Sequence, residues 1–156
     1  PMFREIIRSH GAVFRAVGAG GEEREQDGFE FLDWSEDREI SLIQGMDVGI
    51  MPLPDTPWAR GKCGYKLIQY MACGLPVVAS PVGVNADIVE HGVNGFLAST
   101  EEEWRTALRV LLSDPELRQR MGAEGRRKVE RQYSLQVWGP KVAAMLHDIV
   151  QSGRAA

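Results

Sequence analysis

The sequence predicts an α/β fold: a doubly wound, parallel sheet followed by a helical C-terminal extension. Two patterns carry this reading. Between residues 12 and 98, short apolar runs alternate with segments whose apolar residues recur at helical spacing. From Thr100 onward the pattern is helical, opened by the capping pair Thr100 and Glu103. A chain of 156 residues, 44% hydrophobic and 26% charged, fits one globular domain over residues 1–156 with a core of its own. No linker, internal repeat or low-complexity stretch divides it.

The elements follow in order. Phe3, Ile6 and Ile7 give residues 2–10 a helical apolar pattern, and residues 12–17 read as a strand ending in the turn Gly18-Ala19-Gly20-Gly21. Residues 29–34 form the next strand. Ser35 suits an N-cap, with Glu36 and Asp37 in the first turn of a helix that runs through Leu42 and Ile43. A strand follows at Asp47–Leu53. Ala86–Val89 suits a short helix, and Gly92-Val93-Asn94-Gly95 turns into a brief strand at Phe96-Leu97-Ala98. Trp104, Leu108 and Leu111 share one face of the helix after Thr100. Asp114-Pro115 ends it, Gly122 and Gly125 punctuate the next helix, and residues 137–150 read as a final amphipathic one.

The segment from Arg60 to Pro81 carries the most chemistry. A basic, glycine-rich loop, Arg60-Gly61-Lys62-Cys63-Gly64-Tyr65, leads into a helix and then directly into the apolar strand Val77-Val78-Ala79. Leu67, Ile68, Met71, Ala72 and Leu75 fall on one side of that helix; Lys66, Gln69, Tyr70 and Cys73 fall on the other. Gly74 and Pro76 end it. The first turn of any helix leaves N–H groups unpaired at the positive end of the dipole, and Lys62 and Lys66 add full charges there. The order builds an anion site whose natural guest is a phosphate. In a doubly wound sheet ligands sit beyond the carboxyl ends of the strands. That rule gathers the loops Gly18–Gly21, Asp33–Ser35 and Pro52–Gly64.

The rest of the composition narrows the function. A net charge of -4 and a pI near 5.4 argue against a nucleic-acid partner, so the basic loop is a local site on a mildly acidic surface. Cys63 and Cys73 lack Cys-x-x-Cys spacing, and His10, His91 and His147 are scattered without metal-spaced partners. No metal or other cofactor is expected. No apolar run reaches the length of a membrane span, and the simplest location is the cytoplasm.

Taken together, Val17-Gly18-Ala19-Gly20, Phe31-Leu32-Asp33-Trp34, Asp47–Leu53, Met71–Ser80, Val93-Asn94-Gly95-Phe96-Leu97 and the Arg120-Met121-Gly122 region resemble, in order and spacing, the carboxyl-terminal half of a GT-B glycosyltransferase of the group 1, or family 4, type. The resemblance implies a Rossmann-like domain that binds a nucleotide-diphosphate sugar and belongs to an enzyme transferring the sugar with retention. By the same resemblance, Lys66, helped by Lys62, Cys63, Gly64 and Tyr65, faces the donor phosphates, Gln69 the ribose, and Arg60 and Gly61 the donor sugar. Trp34 and Asp33 stand where the nucleobase packs; for Trp34 a strand-end core position is the other reading. For Arg60 and Lys62 the other reading is a solvated loop charge.

Two departures from the family pattern stand out. In its Glu-x7-Glu signature, Gly61 holds the first position and Gln69 the second. The family domain also implies a further strand and loop before Met2, and an amino-terminal acceptor domain upstream. Without that strand, the strands at Val13 and Ile50 are expected either to close up against each other or to leave open edges that favour strand exchange between chains. On this reading the isolated chain binds donor weakly and transfers nothing. The competing readings are a non-catalytic nucleotide-sugar-binding or protein-association remnant and, more distantly, a nucleotide-sugar 2-epimerase.

Overall fold

The computed structural model describes residues 2–20 and 24–154. In chain order the elements are α1 (Met2–His10), β1 (Phe14–Val17), β2 (Arg24–Gln26), β3 (Phe29–Leu32), α2 (Glu36–Gln44), β4 (Gly49–Met51) and α3 (Pro57–Arg60). They continue with α4 (Tyr65–Ala72), β5 (Val77–Ala79), α5 (Asn85–Ile88), β6 (Gly95–Leu97), α6 (Glu101–Ser113), α7 (Pro115–Gln132) and α8 (Leu135–Arg154). The alternation of short strands and helices up to residue 98 is therefore present, and helices alone follow.

The strands form two sheets. In one, β4, β5 and β6 run parallel with Gly49, Val77 and Gly95 in register, and β5 is central, as its unbroken apolar run implies. In the other, β1 pairs parallel with β3, and β2 adds antiparallel to the far edge of β3. No hydrogen-bonded ladder joins β1 to β4, so of the two outcomes open to the strands at Val13 and Ile50, open edges is the one adopted.

The sequence reading did not contain β2. All three of its residues are exposed and none is apolar, so it lacks the alternation that marks a strand. Its signal is the following Asp27-Gly28 pair, both with positive φ (51° and 78°), which suits a tight hairpin turn. Arg24 also lies over the Phe31 ring at 4.2 Å. Gly21, part of the predicted glycine turn, lies outside the described residues.

The sheet around β5 has two apolar faces, and strand alternation assigns residues to them. Ile50, Val78 and Phe96 face one side, packing with Ile6 of α1 and with Trp104, Leu108 and Leu111 of α6. Met51, Val77, Ala79 and Leu97 face the other, against Leu67 and Met71 of α4 and Ile88 of α5. Full burial of each large side chain contributes about 1.5–3 kcal/mol. Ile6, Leu67, Met71, Val77, Val78 and Leu111 are all inaccessible or nearly so, and they set the thickness of the three layers.

Helix ends follow the sequence closely. The Thr100 hydroxyl accepts the Glu103 N–H while the Glu103 carboxylate accepts the N–H groups of Thr100 and Ser99, which holds that carboxyl below the usual glutamate range. Asp114 caps α7 through the Leu117 N–H, with Pro115 in the first turn. Ser35 precedes α2 as expected, but its hydroxyl makes no capping bond; the Ser35 carbonyl starts the helix by accepting from Arg38 and Glu39. Helix α8 starts at Leu135, earlier than the periodicity placed it, and leaves Leu135, Met145 and Ile149 exposed.

Gly122 and Gly125 do not interrupt a helix. Both lie inside α7 because of what they touch: a Cβ on Gly122 would run into the Gly74 carbonyl, and one on Gly125 would stand 2.9 Å from Met71 Cγ. Arg126 Nη1 then donates to the Ala72 carbonyl at 2.8 Å, closing the C-terminus of α4. Helix α7 thus grips α4 by its backbone. Gly122→Ala is expected to destabilise the fold by about 2 kcal/mol or more, since neither backbone can yield to the added methyl; urea unfolding measures it, and an unchanged midpoint would remove this contact from the account.

Candidate functional site

The loop before α4 is more structured than a glycine-rich connection. Thr56 Oγ1 accepts the Ala59 N–H and Pro57 fills the first helical position, which makes the short helix α3. Gly61 ends it with φ -81°, an ordinary conformation, and a Cβ there would meet nothing closer than 3.6 Å. Gly64, the residue before α4, is different. Its φ of +67° is left-handed, and a Cβ would run into Ile88 Cδ1 of α5. The loop after β5 is equally tight, because a Cβ on Gly83 would stand 2.5 Å from the Arg60 carbonyl.

The opening of α4 leaves a row of donors. Leu67 and Ile68 donate to the Gly64 carbonyl, and Lys62 donates to Ala59. Among the described residues, the N–H groups of Cys63, Gly64, Tyr65 and Lys66 have no acceptor. Gly64 itself is buried, but Tyr65 is 60% exposed and Lys62, Cys63 and Lys66 are exposed as well, so the residues on either side of it open to solvent at the positive end of the helix. Ser80 braces the wall behind them. Its hydroxyl accepts the Leu53 N–H at 3.0 Å and its carbonyl accepts Nδ2 of Asn85 at 3.1 Å.

Beside this opening, a cleft of about 60 Å3 brings together Val17 of β1, Trp34 after β3, Glu39, and Lys66, Gln69 and Tyr70 of α4. Three of the sequence-predicted residues, Trp34, Lys66 and Gln69, therefore share one wall-to-wall site. Gly61, Lys62, Cys63, Gly64 and Tyr65 do not line it; they follow one another along the loop into α4. Asp33 is exposed and also lies outside the cleft lining.

Trp34 is not a core aromatic. It is 55% exposed, its Nε1–H donates to Glu39 Oε1 at 2.9 Å, and its Cβ lies 3.1 Å from where a Gly18 side chain would begin. Of the glycines after β1, Gly18 is the one that Trp34 stands against. Arg60 is exposed and paired on the surface. Nε and Nη2 make a two-pronged pair with Asp55 at 2.6 and 2.9 Å, which holds the Asp55 carboxyl below its usual range and raises Arg60 further.

Sequence reasoning missed two residues here. Trp58 of α3 is 82% exposed beside the loop, and the Thr56-Pro57 cap was the available signal that the segment is helical. Tyr70 was placed opposite the core, yet it packs on β4, where a Gly49 Cβ would run into its ring, and burial pushes its phenol up. Only the glycine on the neighbouring strand makes room for it. His91 serves structure: its Nδ1 accepts the Leu97 N–H at 3.1 Å. Among the described residues no group of three or more His, Cys, Asp or Glu comes together as a metal site, and no helix is long and apolar enough to cross a membrane.

The contrast between the two loop glycines yields a direct test. Gly64→Ala should cost about 2 kcal/mol, through a left-handed backbone and a clash with Ile88, whereas Gly61→Ala should stay within about 0.5 kcal/mol of the parent. Thermal unfolding of the two variants side by side measures the difference, and equal midpoints would refute the clamp at Gly64.

This geometry has relatives. A sequence profile described as glycosyl transferases group 1 matches residues 2–114. The D-inositol 3-phosphate glycosyltransferase of Rhodococcus jostii is 38% identical over 96 residues, spanning 60% of this chain and 20% of the relative. The chain covers 24%, 22% and 20% of three such relatives, about a quarter of their length or less. Among solved structures, sucrose-phosphate synthase of Thermosynechococcus elongatus superposes with a TM-score of 0.73 at 18% identity, covering 97% of this chain and 42% of the synthase. HepE of Anabaena, in complex with UDP and glucose, gives 0.68 at 23% identity over 78% of this chain and 32% of HepE. The C-terminal domain of a group 1 family protein from Francisella tularensis gives 0.55 at 20% identity over 68% of this chain and 55% of that domain. At these identities the structural likeness is one of fold, that of the C-terminal half of GT-B enzymes. With the profile spanning most of its length, the chain belongs to the group 1 glycosyl transferases.

Proposed function

We propose that this chain is the donor-binding half of a retaining glycosyltransferase, taking a nucleotide-diphosphate sugar whose acceptor is held by the rest of the parent protein. The observation that carries the reading is the row of N–H groups from Cys63 to Lys66, without acceptors among the described residues, at the head of α4, with the Lys66 ammonium beside them. It supports a diphosphate at this end, with the ribose at Gln69 and the base toward Trp34 in the adjoining cleft. The complexes of HepE with UDP and with UDP-glucose support the same ligand class.

The chemistry follows from the charge pattern. When the bond from the sugar to the diphosphate breaks, negative charge gathers on the leaving phosphate oxygens. Donors and a dipole already aimed at that place stabilise the developing charge more than the ground state, which lowers the barrier. Lys66 adds a full charge on the same side. Arg60, committed to Asp55, contributes little to this.

Gly61 supports a second reading, that of a binding domain without transfer. Its backbone is in an ordinary conformation and has room for a Cβ, so the glycine there is not required by the backbone or by crowding at Cβ. Full-length parent protein incubated with a panel of nucleotide sugars and acceptors separates the two: product marks a transferase, and donor binding without turnover marks the binding domain.

Lys66→Ala should weaken calorimetric affinity for UDP about tenfold, the scale of one charge-assisted contact, while the fold survives because the side chain is exposed. Unchanged affinity would remove Lys66 from the phosphate site. Gln69→Glu should retain or improve binding, since a carboxylate accepts from two ribose hydroxyls; loss of binding would show that the amide donor is required and would contradict the ribose assignment.

A further inference from the structure

The cleft beside α4 holds a carboxylate that no cation occupies. Glu39, partly buried in the first turn of α2, lines it together with Trp34, Lys66 and Gln69. The two basic residues of the cleft leave it alone. Arg15 is paired with Glu30 and donates to the Gly45 carbonyl, and among the described residues no ion pair joins Lys66 to Glu39. Glu39 Oε1 instead accepts the neutral Trp34 Nε1–H at 2.9 Å, and Oε2 has no partner among the described residues.

Both ends of the link between Trp34 and Glu39 are fixed. The Glu39 N–H donates to the Ser35 carbonyl at 3.0 Å, in the bond that starts α2, where a negative charge suits the helix dipole. The Trp34 Cβ stands 3.1 Å from where a Gly18 side chain would begin. The carboxylate is thus held in place by the indole, with acceptor capacity left over for whatever enters the cleft.

The bases differ in what they offer such a group. An ionised carboxylate only accepts hydrogen bonds, through about four lone-pair sites. Guanine presents two adjacent donors on one edge, N1–H and the N2 amino group. Adenine and cytosine present one amino group beside a bare ring nitrogen. Uracil presents N3–H between two carbonyl oxygens, whose lone pairs repel a carboxylate. At about 60 Å3 the cleft admits the edge of a base and not the whole ring, so the edge is the part this site can read.

We infer that Glu39 is the base-reading residue of the donor site and that it selects a guanine nucleotide. N1–H donates to one carboxylate oxygen and the N2 amino group to the other, while the ring lies against the half-exposed Trp34 indole. The assignment rests on the donor-site reading above, since it takes the diphosphate at the head of α4 and the ribose at Gln69 as given. UDP keeps the diphosphate contacts and loses the two bonds to the base, so it binds more weakly without being excluded.

Calorimetry of GDP, inosine diphosphate, ADP, CDP and UDP with the chain and with Glu39→Gln tests the assignment. GDP should bind about thirtyfold more tightly than UDP, the discrimination of one bidentate pair, and Glu39→Gln should narrow that ratio to about threefold or less. The Gln amide oxygen still accepts from Trp34, and thermal unfolding checks that the variant keeps its fold. Inosine diphosphate, which lacks the N2 amino group, should lose most of the advantage of GDP with no change to the protein. Equal affinity for all five, inosine diphosphate binding as tightly as GDP, or a GDP preference untouched by Glu39→Gln would overturn the role of Glu39 and leave the diphosphate site standing. Binding of none of the five would overturn both.

Discussion

Helix α4 is fixed at both ends by contacts that allow no side chain, and the direction of its N-terminal donors follows from that. At the start, Gly64 turns left-handed against Ile88 of α5; at the end, Gly122 of α7 lies directly on the Gly74 carbonyl. Between them Leu67 and Met71 are fully buried against β5, so the helix cannot slide or roll without breaking the core. The N–H groups from Cys63 to Lys66 are therefore set in space before any ligand arrives. Donors already oriented lose little freedom on binding, which is the physical advantage of such a site.

The same constraint explains the charge arrangement around the loop. Ser80 ties Leu53 to the end of β5, and Gly83 lies against the Arg60 carbonyl, so the segment between β4 and α4 is clasped from behind. Arg60 is spent on Asp55 within that segment, leaving Lys62 and Lys66 as the basic groups on the path into α4. A mildly acidic surface with a local cationic opening favours a small anionic ligand over a polyanion. Trp34 and Trp58 are both largely exposed.

Much of the fold was legible because it rests on periodicity and caps. The apolar face of α4, the buried run Val77-Val78-Ala79 and the Thr100–Glu103 box each depend on neighbours a few residues away. What escaped depends on partners distant in the chain. Gly122 and Gly125 read as helix breakers until Gly74 and Met71 are seen against them, and Tyr70 reads as a surface residue until Gly49 makes room for it. Strand β2 carries no apolar alternation at all. In the site, the rule that loops after parallel strands converge gathered the loop holding Trp34 with the loop before α4, and the family resemblance added Lys66 and Gln69. Arg60 pairs with Asp55, which lies just before the Thr56 cap of the short helix α3, a segment that reads as loop in the sequence.

The account turns on whether an anion is held by the backbone at the head of α4. The direct measurement is the amide resonances of Cys63, Gly64, Tyr65 and Lys66 as UDP is titrated into the labelled chain. The account predicts that these four move downfield together and saturate with one affinity, while the amides of Leu67 and Ile68, already bonded to Gly64, move little. Shifts centred elsewhere, with these four unmoved at saturation, would contradict it.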